Sequence, residues 1–313
     1  MSAFQTALEA VLPLFALLAL GVGLRRAGMT DKHTLDRMNL LGFRIFLPVS
    51  LYYNIVTADL AQVFDGRLLA FGLISQFGAL GLSVLVAFST EKTPKRRGAL
   101  AGGILQTNLV IFGTLIGTSL CGEGNMGSIS LLIAAVAPLQ NLLSVVLLEL
   151  CRGNSSLNKK EMVVGVLKNP FVIAAFAGFA TQLLPVSFPS VILNIVRDVG
   201  RCGTPVALIV MGGLFNFGAV RSNRKAIAAG VFARLAVVPL IMIPIALFLG
   251  FRGPAMVGLA CVFMAPSATS SFNLASVMGS DADLAAQLVV FTSLFSLGTV
   301  FCWVFVLSGM GAL

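Results

Sequence analysis

Pro13 and Pro170 stand 157 residues apart in a chain of 313. The same offset pairs Gly21 with Gly178, Arg44 with Arg201, Pro48 with Pro205, Leu51 with Leu208 and Arg67 with Arg224. The chain holds only 12 prolines, so two proline pairs at one offset mark a sequence written twice. Whatever one half folds into, the other must fold into a version of it.

Both copies are mostly apolar. Hydrophobic residues make up 58% of the chain and charged residues 11%, too little charge to cover a soluble domain of this length. Apolar blocks recur at about 17–25 residues, the length a helix needs to cross ~30 Å of hydrocarbon. The expected class is an all-α membrane protein of ten transmembrane helices, at roughly 5–24, 36–57, 67–89, 97–119, 127–150, 169–184, 190–217, 226–249, 254–278 and 283–308. Five spans fall in 1–151 and five in 169–313, with a polar, basic cytoplasmic linker at 152–168. Five is odd, so the second copy enters the bilayer from the opposite side and the repeat is inverted.

The charges give the same topology. Of 21 basic residues, 15 flank the side that holds the loop after the first span, including Arg25, Arg26, Lys95, Arg96, Arg97, Arg224 and Lys225. Only Arg67 and Arg252 lie opposite. Positive residues stay inside, so the rich side is cytoplasmic and both termini face out. The net charge of +9 is then a property of membrane topology. Nucleic-acid binding is not expected, because no aromatic surface accompanies the charge. Cys121, Cys151, Cys202, Cys261 and Cys302 are scattered without metal-ligand spacing.

Interrupted helices are tolerated at membrane depth only against protein or a water-filled cavity. Breakers combined with polar residues in mid-span are therefore the place to look for chemistry. Gln106-Thr107-Asn108, followed by Gly113, interrupts span 4, and Ala265-Pro266-Ser267-Ala268-Thr269-Ser270-Ser271-Phe272-Asn273 interrupts span 9. The repeat offset carries Asn108 onto Ala265, beside Pro266, so both breaks fall at one depth. Opposed broken helices there would turn half-helix N-termini toward an anion and free carbonyls toward a cation. The same residue types also serve as plain helix-to-helix glue. Thr107, Asn108, Pro266, Ser267, Ser270 and Asn273 are the expected binding centre, with Gln140 and Asn141 of span 5 lining it.

Arg44 and Arg201 each precede a proline by four residues, one turn apart on one helical face, and are further candidates for substrate contact. Both also lie within snorkelling reach of an interface. Arg197 and Asp198 are expected to pair at an interface, and Glu149 to sit at one. Arg234 has no partner legible in the sequence. His33 is the only histidine, and no phosphate loop, histidine pair for a metal or pair of intramembrane aspartates is present. No enzyme is expected, no cofactor and no bound metal.

The runs Phe46-Leu47-Pro48, Asn169-Pro170, Thr204-Pro205-Val206-Ala207-Leu208 and Ala265-Pro266-Ser267 resemble those of the auxin efflux carrier family, which includes bacterial malonate-transporter-like permeases. The resemblance covers essentially the whole chain. It implies the fold of sodium/proton antiporters and bile-acid symporters, with spans 4 and 9 crossing at the centre. It further implies a scaffold of spans 1, 2, 6 and 7, a mobile transport domain of spans 3–5 and 8–10, and organic-anion substrates. By that analogy a homodimer is expected.

Two departures stand out. The short 151–168 segment resembles bacterial members, whose home would be the inner membrane, and Leu115 stands where the family usually carries proline. The resulting expectation is secondary-active transport of a small carboxylate by an elevator-type motion, with coupling to H+ or Na+ open. A passive pore for the same solutes and a ligand-binding membrane receptor stay as alternatives.

Overall fold

The structure is a computed structural model and describes residues 3–57, 65–122, 125–152, 159–184 and 188–313. Residues 153–158 of the expected linker lie outside the described residues. Among the described ones all regular structure is helical.

The first half runs α1 (Ala3–Arg26), α2 (Lys32–Leu41), α3 (Leu47–Val56), α4 (Gly66–Thr90), α5 (Pro94–Leu105), α6 (Leu109–Cys121) and α7 (Gly127–Leu150). The second runs α8 (Lys159–Leu167), α9 (Pro170–Leu183), α10 (Ser190–Arg201), α11 (Gly203–Leu214), α12 (Val220–Phe232), α13 (Val238–Phe248), α14 (Gly253–Met264), α15 (Thr269–Val277) and α16 (Ala282–Gly309). The expected linker is thus helical over Lys159–Leu167.

Local chemistry sets these boundaries. Asp31, Asp65, Asn169 and Asp281 each accept backbone N–H bonds at a helix start, relieving donors that have no intrahelical acceptor. Pro94 and Pro170 sit at first-turn positions, where a missing N–H costs nothing. Proline in mid-span acts differently. Before Pro48 the helix widens into a π segment, Gly42–Phe46, in which the Leu47 N–H reaches Gly42 O. Ala233–Val237 does the same ahead of Pro239, with the Val238 N–H on Ala233 O.

Four helical stretches are long and apolar enough to cross a membrane: Gly66–Thr90, Gly127–Leu150, Val220–Phe248 and Ala282–Gly309. Shorter apolar helices are Leu109–Cys121, Pro170–Leu183 and Gly253–Met264. The outside is apolar, with Phe248, Leu183 and Phe305 exposed. Gln76, Ser83, Gln140, Ser144, Asn273, Gln287, Thr292 and Ser296 are buried. Polar inside and apolar outside is the arrangement hydrocarbon demands.

Helix α1 packs on α11 and α9 on α3, in both cases through glycine. A Cβ on Gly21 would fall 2.0 Å from Ile209 O, and one on Gly212 would fall 2.1 Å from Leu18 O. One on Gly178 would meet Ile55 at 3.0 Å. Glu149 is buried and ion-paired to Arg152 at 3.0 Å, where an interfacial place was expected. Arg197 and Asp198 do pair, at 3.2 Å on the surface. His33 is exposed in the first turn of α2.

Arg96 is clasped by Glu91 through two bonds of 2.7 and 2.9 Å, by Asp281 at 3.1 Å and by Asn223 at 2.9 Å. Asp281 also accepts the Leu284 N–H at 2.9 Å. Asp281→Ala removes a cap and an ion pair together and is expected to cost about 2 kcal/mol. Asp281→Ser keeps the cap and is expected to recover about half, read as melting temperature in detergent.

Candidate functional site

Helix α5 stops at Leu105 and α14 at Met264, and in both the chain then runs extended before helix resumes. The two extended stretches meet as a single antiparallel bridge, Thr107 opposite Ser267. Asn108 N–H donates to Pro266 O at 2.9 Å and Ala268 N–H to Gln106 O at 3.1 Å. The two breaks therefore satisfy each other.

Side chains complete the crossing. Gln140 Oε1 accepts the Thr107 N–H and hydroxyl, both at 3.2 Å, and its Nε2 donates to Gln76 Oε1 at 2.8 Å. Gln106 Nε2 donates to Asn141 Oδ1 at 2.9 Å. Ser267 is fully buried; its hydroxyl donates to Gly103 O at 2.6 Å and its N–H to Thr292 Oγ1 at 3.1 Å. Arg234, 1% exposed, donates to Ala265 O and Val262 O at 2.8 Å, Phe263 O at 2.9 Å and Ile104 O at 3.3 Å.

Beyond the crossing α6 starts at Leu109 and α15 at Thr269, and neither start carries a side-chain cap. Both open on a cavity of about 120 Å³. Thr107, Asn108, Gln140, Asn141, Thr269 and Ser270 line one wall; Ser50 and Asn54 of α3, Phe171 of α9 and Thr204 of α11 line the other. No lining residue is ionisable. Asn108 Nδ2 and Gln106 Oε1, both on this wall, are buried without a hydrogen-bond partner among the described residues. Uncapped helix N-termini carry partial positive charge, and Asn108 adds a free amide donor. A cavity so lined offers hydrogen-bond donors and partial positive charge without an ionised side chain.

Of the ten residues singled out in the sequence, Thr107, Asn108, Gln140, Asn141 and Ser270 line this cavity. Pro266 and Ser267 build the crossing behind it. Asn273 is wholly buried on α15 and outside the lining, its Nδ2 on Thr269 O at 3.4 Å. Arg44 and Arg201 are exposed and contribute nothing to the cavity. Sequence reasoning missed Ser50, Asn54, Thr204 and Thr269, of which Thr204 carried a signal in its neighbouring proline. It also missed the acceptors of Arg234.

A second, wider cavity of about 830 Å³ opens at the basic end of the bundle, lined among others by Arg25, Arg26, Lys32, Asp36 and Asp283. A third space, about 370 Å³ between α4, α7 and α9, is almost wholly apolar and holds no chemistry.

The family model described as membrane transport protein matches residues 6–304, nearly the whole chain. The chain belongs to this family, that of auxin efflux carriers and malonate-transporter-like permeases. A comparison with curated proteins returns no match. As a member of the membrane transport protein family with membrane-length apolar helices, the chain is a multi-pass membrane transporter. The family is one of transporters and not of enzymes.

Proposed function

We propose that the chain is a secondary-active transporter of small organic anions, carboxylates above all, held at the crossing of the two interrupted helices. The observation that carries this reading is the convergence of two uncapped helix starts and the free Asn108 amide on one uncharged cavity. The ten-span, inverted reading sets 1–151 against 169–313, with termini outside and the basic end in the cytoplasm of a bacterial cell. In its support, α5 and α6 (94–121) find their counterpart in α14 and α15 (253–277) at nearly the repeat offset.

Elevator motion is supported by the cavity's two walls. One belongs to α3, α9 and α11, the expected scaffold; the other to α6, α7 and α15, the expected transport group. Away from the cavity the two groups are also joined by a hydrogen bond from Asn39 Nδ2 to Ser276 Oγ at 2.8 Å, between α2 and α15. The wider basic cavity would draw anions to the cytoplasmic mouth.

Purified protein in proteoliposomes, given radiolabelled malonate, acetate or indole-3-acetate, is expected to carry at least one of them with saturable kinetics and a response to an imposed ion gradient. Flux that rises linearly with concentration would mean a pore, and binding without flux a receptor.

A further inference from the structure

Three carbonyls at the ends of α5 and α14 have lost their helical donors for a visible reason. In an unbroken helix Ile104 O would take the Asn108 N–H, which here goes to Pro266 O. Val262 O would take a donor from residue 266, and proline has none. Phe263 O would take the Ser267 N–H, which goes to Thr292 Oγ1. These three orphaned oxygens, together with Ala265 O, are the four acceptors of Arg234. Among the described residues no carboxylate lies within ion-pair range of this guanidinium. Its charge is met by the negative ends of two helices.

A cluster of unwound carbonyls at paired half-helix C-termini is also how a membrane crossing holds a bare metal cation. We infer that Arg234 is a built-in cation, its guanidinium standing where the two helix ends would otherwise bind sodium, so that the crossing is complete without a coupling metal ion. Asp, Glu and His are absent from the crossing itself, from Leu105 to Asn108 and from Met264 to Thr269. The fixed charge therefore faces the anion cavity across the crossing without a carboxylate to cancel it. Arg234 lies within the π segment Ala233–Val237 and is buried. Arg234 is a positioning residue; it holds the break shut and biases the cavity toward anions without lining it.

The claim about the cation site stands on geometry alone, whereas the claim about sodium rests on the transport reading above. Two measurements separate them. In the first, wild type, Arg234→Lys and Arg234→Ala are melted in detergent with either choline chloride or sodium chloride at equal ionic strength. Wild type is expected to be indifferent to the cation. Arg234→Ala is expected to melt roughly 10 °C lower and to recover about 3 °C in sodium or methylguanidinium, since ligands that bind only the folded form raise its melting point. Arg234→Lys is expected to melt nearer to wild type.

An Arg234→Ala protein that melts like wild type, or that melts low without any cation response, would reduce Arg234 to packing. If Arg234→Ala does not fold, Arg234→Lys decides: failure there as well would show that charge is not what the site needs. In the second, wild-type malonate, acetate and indole-3-acetate uptake is expected to be equal in sodium and choline. A sodium requirement overturns the inference. Absence of flux for every probe overturns the transport reading, and the melting comparison then tests the cation site by itself.

Discussion

Gly212→Ala is expected to abolish assembly of a stable protein. The added Cβ would sit 2.1 Å from the Leu18 carbonyl oxygen and 2.8 Å from its carbon, both of them backbone. No rotamer change relieves such a contact, so α1 and α11 must separate along their whole crossing. Overpacking of a flexible side chain costs about 1–3 kcal/mol, and a clash with fixed backbone belongs at or above the upper end. Gly21→Ala, with Ile209 O at 2.0 Å, is expected to behave alike. Gly23→Ala provides the control, because a Cβ there meets nothing within 4 Å. The readout is the monodisperse fraction on size exclusion in detergent. Wild-type yield from Gly212→Ala would mean that the two helices do not approach as closely as described.

Asn108→Asp is expected to lower carboxylate uptake at least about 100-fold, because a like charge facing the anion costs on the order of 3 kcal/mol. The substitution keeps size and shape, so the Asn108 N–H bond to Pro266 O, which builds the crossing, is retained. Lost are the buried amide donor and the neutrality of the cavity. Melting temperature is expected to change little compared with uptake. Asn108→Ser, which keeps a donor, is expected to retain more transport than Asn108→Asp. Equal uptake in both variants would remove Asn108 from the site.

That the two interrupted segments belong together was legible from the sequence, and the rotation of a residue about its helix axis was not. The repeat placed Thr107 and Asn108 at the level of Pro266 and Ser267, and the structure pairs Thr107 with Ser267 directly. Depth alone also put Arg44 and Arg201 beside Pro48 and Pro205. Rotation turns those two arginines outward, a matter of which helix faces meet, and a single sequence holds little trace of it.

Asn273 fails for the same reason: it lies on the right helix, on a face buried away from the lining. Ser50 and Asn54 reach the cavity because α3 leans on α9 through Gly178 and Ile55. That contact is made between halves. Arg234 is the sharpest case. Its acceptors are backbone oxygens, which any sequence has, and they become free only once α5 and α14 have stopped.

The anion-seeking character of the crossing is tested most directly by a single cysteine at its mouth. Ser270 is half-buried at the start of α15 and lines the cavity. With the five native cysteines replaced, Ser270→Cys is treated with a negatively or a positively charged methanethiosulfonate reagent of similar size. Faster modification by the negative reagent, slowed by added malonate or acetate, is the predicted result. Faster modification by the positive reagent, or no protection by any carboxylate, would contradict an anion site at this crossing.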